Sequence, residues 1–129
     1  MSGGPLPSQL CLLSSLPYRT DGEKVRFLGC VLSYSTSSAR LILGHDHPRD
    51  TNVTAVVDVR LILESLGYED TRVGEWVNVV GYVKAKRRGR GPGAGGGGGL
   101  SVYVEAILVW PTGPLDVQRY EKTFEPDAI

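Results

Sequence analysis

Five separate apolar-rich stretches of this chain predict β-strands, the first opening with apolar and polar residues that alternate with a period of two. Lys24–Tyr34 begins with Val25 and Phe27 set against Lys24 and Arg26, then turns apolar on both faces beyond Phe27. Gly29 interrupts it, which predicts a bulge or sharp bend; a long strand that bends in mid-course can serve two sheets at a barrel corner. Ser35–Ser38 is a turn. Ala39–Gly44, with Leu41, Ile42 and Leu43, is a second strand, and after a polar loop at 45–52 Val53–Val59 is a third. Gly74–Lys84 and Leu100–Trp110 are the fourth and fifth, the last stopped by Pro111.

Between the third and fourth strands the period changes. Leu61, Ile62, Leu63 and Leu66, closed by Gly67, read as a short helix over 60–66 that plugs one end of the fold. Leu10–Leu16 is an apolar run ended by Pro17, too short for periodicity to separate a helical turn from an edge segment. Gly113 and Pro114 open an amphipathic helix through Glu125. Pro114 stands at its first position, Asp116 in its first turn, and Val117, Tyr120 and Phe124 form its stripe. Pro126 ends it. Five strands with a helix between the third and fourth is the order of an OB-fold, a partly open Greek-key barrel. The predicted domain spans 10–125, with a flexible N-terminus at 1–9, a tail at 126–129, and a basic, glycine-rich loop at 86–99.

Composition narrows the class. The chain has 129 residues, 41% hydrophobic, enough for a single core. No apolar run approaches the roughly 20 residues that cross a bilayer. Its start lacks the charged region of a signal peptide, so none is expected. Cys11 and Cys30 lie among apolar residues and are expected as buried free thiols in a reducing compartment. The formal net charge is zero, but Lys84, Lys86, Arg87, Arg88 and Arg90 are five of fourteen cations. That leaves nine cations against fourteen acids, a balance of −5, so the basic character is local.

Cations at the loop between the fourth and fifth strands, with tyrosines on the strands, suit a single-stranded nucleic-acid binder. Bases stack on rings while Lys and Arg track phosphates. Tyr103 is the preferred ring because it shares parity with Ser101 and Glu105; Tyr82, Tyr34 and Arg40 complete the candidate DNA-binding set. The plainer alternatives are a solvated tether or nuclear-import patch for the loop, and tyrosines that merely close the barrel end. Trp76 and Trp110 read as structural, Trp110 under the terminal helix. Leu115, Val117, Tyr120 and Phe124 form a stripe that either caps its own barrel or docks a partner, and partner docking is the expectation. His45, Asp46, His47 and Asp50 read as a solvated loop rather than a metal site. No catalytic set, cofactor motif or metal site is expected, and the chain is expected not to be an enzyme.

Val25–Val31, Gly74–Val83, Ala106–Pro111 and the terminal helix together resemble the small Ten subunit of the fungal telomere-capping CST complex, over about residues 10–125. That family is similar in architecture to the small subunit of replication protein A. The resemblance implies a nuclear, telomeric, non-catalytic protein. It would pair with an Stn-type OB-fold subunit, join a third large subunit, bind single-stranded G-rich telomeric DNA, protect the end and limit telomerase. The glycine run lies outside the family pattern. Two alternatives stay open: a general replication-type single-strand binder, and an architectural scaffold without DNA contact.

Overall fold

In the computed structural model, which describes residues 8–89 and 99–124, six strands form one sheet rolled into a barrel. They are β1 (Gln9–Leu10), β2 (Lys24–Ser35), β3 (Arg40–Gly44), β4 (Val53–Asp58), β5 (Trp76–Gly89) and β6 (Gly99–Pro111). β1 is a two-residue addition parallel to the start of β2. The other five close on themselves in the order β2-β3-β4-β6-β5-β2, with β4 and β6 parallel and the rest antiparallel. This is the five-stranded OB-fold expected from the strand order.

Closure depends on β2. Lys24–Cys30 pairs with β5, whereas Cys30–Ser35 pairs with β3, with a register shift between Val31 and Ser33. One strand thus serves both sides, and Gly29 sits at the changeover. A Cβ there would come within 2.8 Å of the Leu43 Cβ, so the close strand crossing requires glycine. Inward positions of every barrel strand fill the core, among them Val25, Phe27, Leu41, Val57, Val79 and Val104, all essentially without exposure.

The short helix expected at 60–66 is present, but it does not plug the barrel. It is a 3₁₀ segment, Arg60–Ser65, kinked at Ile62 and with no buried residue, followed by the one-turn α1 (Tyr68–Thr71). Ile62 and Leu66 pack on the core only in part. The plug is instead the N-terminal 3₁₀ segment Leu13–Tyr18, which buries Leu13 and Leu16 completely. With three residues per turn these two leucines stack on one side, and a polyapolar run ending in Pro17 suits so short an element.

The strand β5 also runs further than its apolar residues suggest. Lys86, Arg87 and Arg88 belong to β5 and pair with Val102, Ser101 and Leu100 of β6, so they are not loop residues. Backbone ladder bonds carry the strand through the charged stretch because β6 supplies partners as far as Gly99. Arg90 and most of the glycine run lie outside the described residues. The last helix, α2, is shorter than expected: Val117–Lys122, with Asp116 as N-cap accepting a bond from the Arg119 amide, rather than Pro114 as first helical residue.

Candidate nucleic-acid interface

The paired positions of β3, β4 and β6 define which side chains share the outer face of the barrel. Arg40, Asp58 and Glu105 lie in one row, and Ile42, Val56 and Tyr103 in the next outward row. On β5 a bulge between Val83 and Ala85 makes Lys84 the extra residue, so that Ala85 opposes Tyr103 and Arg87 opposes Ser101 on this same face. These rows enclose an open cleft of about 460 Å³ lined by Arg40, Arg60, Lys84, Arg87, Tyr103 and two acids, Asp58 and Glu105. Four cations against two carboxylates leave the cleft positive although the whole chain is neutral.

Inside the cleft the Arg40 guanidinium lies over the Tyr103 ring, 5.6 Å from its centroid. The two form a flat cationic-aromatic platform. Arg60 is held by Asp58 through a bidentate pair, Nε to Oδ2 at 3.0 Å and Nη2 to Oδ2 at 2.7 Å with Nε also 3.1 Å from Oδ1. Burial pushes the Asp58 carboxyl up, but the hydrogen bonds and charge of Arg60, with Arg40 nearby, outweigh it and hold the group below the ordinary carboxylate range. Lys84 faces Glu105 more loosely, at 3.6 Å. Arg87 has no ion pair among the described residues.

Of the nine residues singled out in the sequence, the cleft gathers Arg40, Lys84, Arg87 and Tyr103. Tyr82 lies in the row of Lys24 and Glu105, beside the cleft rather than lining it. Tyr34 packs against the core cluster at the far end of β2. Lys86 points to the opposite side, where its ammonium donates to the Arg19 carbonyl and lies 3.7 Å from Asp21. Arg88 shares that side with Lys86. Alternation along β5 therefore divides the basic cluster between two faces. Asp58 and Arg60 were missed because they reach the cleft through the pairing of β4 with β3 and β6, which sequence spacing does not encode, whereas Glu105 was legible on the Tyr103 face by parity.

The C-terminal helix sits elsewhere. Tyr120 contacts the His45 ring and Phe124, and its hydroxyl is buried beside the Leu28 backbone without a well-aligned partner. Burial, reinforced by Cys11, pushes the Tyr120 phenol up to about 12. Glu121 bridges two histidines of the β3–β4 loop, 2.6 Å from His45 Nε2 and 3.4 Å from His47 Nδ1. The loop histidines thus have a task the sequence did not reveal, holding α2 to the barrel. Val117 and Phe124 are half-buried and Leu115 is 38% exposed. Trp76 meets His45 edge-on, while the Arg26 guanidinium lies over the Trp110 ring, 5.4 Å from its centroid. Both cysteines are free; Cys11 is buried and Cys30 half-buried.

The outer face of β2, β5 and β6 is mostly apolar, with Arg26 in the row of Val80 and Leu108 and Asn78 in that of Leu28 and Trp110. A second bulge, between Val80 and Gly81, skips Ile107 on β6 and reverses its parity, so that Leu108 turns outwards opposite Val80. Leu28 and Val80 on this face are buried, but Leu108 is 56% exposed. No parity argument carried through β6 could have found it.

A closed five-stranded barrel of this strand order defines a small OB-fold protein. The chain belongs to the Ten1 family, described as a telomere-capping subunit of the CST complex, whose model matches residues 1–125. It is 32% identical over 74 residues to the protein ten1 of Schizosaccharomyces pombe, a match that spans 57% of this chain and 63% of that relative. In structure it is similar to a chain of the S. pombe Stn1–ten1 complex, with 25% identity and a TM-score of 0.65, covering 93% of this chain and 90% of the other. It shares its fold with Ustilago maydis replication protein A bound to single-stranded DNA, at 17% identity and a TM-score of 0.56, covering 91% and 85%.

Proposed function

We propose that this chain is a non-catalytic subunit of a telomere-capping complex that pairs with an Stn1-type OB-fold partner and holds single-stranded DNA in the cleft across β3, β4 and β6. The observation that carries the DNA half is the Arg40–Tyr103 platform inside a cleft with four cations. A base stacks on the platform and its phosphates meet Lys84 and Arg87, with Arg60 kept in place by Asp58. The partner half rests on membership of the Ten1 family and on likeness to the S. pombe Stn1–ten1 complex. The partner-facing surface is Leu115, Val117 and Phe124 on and before α2, with Leu108 exposed on β6, while Tyr120 seats the helix on the barrel. In this reading the protein acts in the nucleus at chromosome ends. It shields the G-rich overhang and restrains telomerase alongside a third, large subunit.

The test is fluorescence anisotropy on labelled G-rich single strands at two salt concentrations, for the partner alone and for the pair. The pair binds more tightly and with a steeper salt slope. Arg40→Ala with Tyr103→Ala in the pair costs about 1–3 kcal/mol of binding. Lys84→Ala and Arg87→Ala each lower the slope by about 0.7. A pair whose affinity and slope equal those of the partner alone overturns the DNA half and leaves an architectural subunit.

A further inference from the structure

Arg88 and Lys86 emerge from β5 on the side away from the cleft, and what surrounds them there is a second, distinct concavity. It has a volume of about 530 Å³ and is lined by Pro17, Tyr18, Thr51, Lys86, Arg88 and Leu100, with Ser14 and Val53 at its edge. Its components come from three separate elements: the 3₁₀ plug, the end of the β3–β4 loop, and the β5–β6 hairpin. Tyr18 is 88% exposed, an unusual state for an aromatic side chain on an otherwise well-packed barrel.

The exposure of Tyr18 has a structural cause. Leu13 and Leu16 anchor the plug in the core, and at three residues per turn Tyr18 falls off their line, beyond Pro17. The ring is therefore presented on a rigid base. Lys86 is fixed beside it by the Arg19 carbonyl and Asp21, whereas Arg88 has no ion pair among the described residues. An exposed ring that shares a concavity with an arginine without an ion pair among the described residues repeats the chemistry of the cleft on the other side of the same hairpin.

We infer that this concavity is a second single-strand nucleotide subsite, in which Tyr18 stacks a base and Arg88, with Lys86, meets the adjoining phosphate. The inference rests on the proposed DNA-binding reading and extends it. The strand that enters the Arg40–Tyr103 cleft continues past β5, where successive side chains Arg87 and Arg88 face opposite sides, and is gripped again at Tyr18. The alternation that splits the basic cluster thus gives the strand a contact on each side of the hairpin. A sheet edge carrying cations on both faces straddles a polyanion and does not waste half of its charge.

Oligonucleotide length separates the two sites. Anisotropy is measured on the full chain with single strands of about 6 and about 16 nucleotides, which bracket what one OB-fold covers. Tyr18→Ala with Arg88→Ala is expected to weaken binding of the longer strand about tenfold, to lower its salt slope by about 0.7, and to leave the shorter strand unchanged. Arg40→Ala with Tyr103→Ala weakens both lengths. Urea unfolding of the Tyr18→Ala, Arg88→Ala variant controls for the plug, and both positions are exposed. If that variant matches the wild type at both lengths while the cleft variant does not, the second subsite is overturned and the cleft stands. If neither variant changes binding, or the chain binds neither strand, both the cleft and the subsite fall.

Discussion

Tyr120 concentrates the question of what α2 is for. Its ring lies against His45 and Phe124, yet its hydroxyl is buried with no well-aligned hydrogen-bond partner. An unsatisfied buried hydroxyl costs free energy that a phenylalanine does not. In the isolated chain Tyr120→Phe should therefore raise stability by about 1 kcal/mol, read as a higher midpoint in urea. The same burial predicts a pH dependence. The folded chain holds the phenolic proton up to about pH 12, whereas the unfolded chain releases it near pH 10. Between those values the native state binds more protons than the unfolded state, so this contribution is complete below pH 10 and is lost as pH rises through 12. In Tyr120→Phe that loss disappears. Equal slopes for both proteins over this range would contradict the assignment. The stripe of Leu115, Val117, Tyr120 and Phe124 was legible as apolar, but its division of labour was not. Tyr120 faces the barrel because Glu121, one residue on, is claimed by His45 and His47, a contact spanning some seventy residues of sequence.

At the scale of elements, the strands were legible because their core residues alternate, and the misread parts are those where another interaction overrides the local pattern. The charged end of β5 looked like a loop, yet the ladder with β6 continues through it. The segment at 60–66 looked like a plug, while Leu61 and Leu63 remain exposed. The actual plug, Leu13–Tyr18, is built on a seven-residue apolar run with Pro17 near its end, where periodicity carries too few repeats to decide. Its weight is testable. Leu16→Ala removes a fully buried side chain and should cost about 2–5 kcal/mol in chemical denaturation. The bulge beside Gly81 is the second test. A Cβ there would meet the Glu105 carbonyl, the Val104 side chain and the Ala106 backbone. Gly81→Ala should cost at least about 2 kcal/mol and disturb the parity that turns Leu108 outwards. A variant as stable as the wild type would mean that this bulge is not what sets the outer face of β6.

On the whole molecule, two surfaces of opposite character lie on one barrel. The cationic cleft lies across β3, β4 and β6, with Arg40 and Tyr103 at its centre, and the apolar face lies across β2, β5 and β6, with Leu108 and Leu115 at its exposed edge. They share strands but no side chains. Neutral overall charge follows from this partition, since a cleft with excess cations is offset by acids elsewhere. Such a layout lets two functions be lost separately. Leu108→Gln with Leu115→Gln makes the apolar face polar without touching the core or the net charge. It should abolish co-purification with an Stn1-type partner and leave DNA binding by the chain unchanged. Arg40→Ala with Tyr103→Ala should do the reverse. Joining the two folds also raises affinity by effective concentration alone, because the second fold binds the same strand intramolecularly. The paired complex carrying the cleft substitutions should thus fall back towards the partner's own affinity, without loss of the pair. If instead each pair of substitutions weakens both partner and DNA, the faces are coupled, and the strand and the partner meet on a common surface of the barrel.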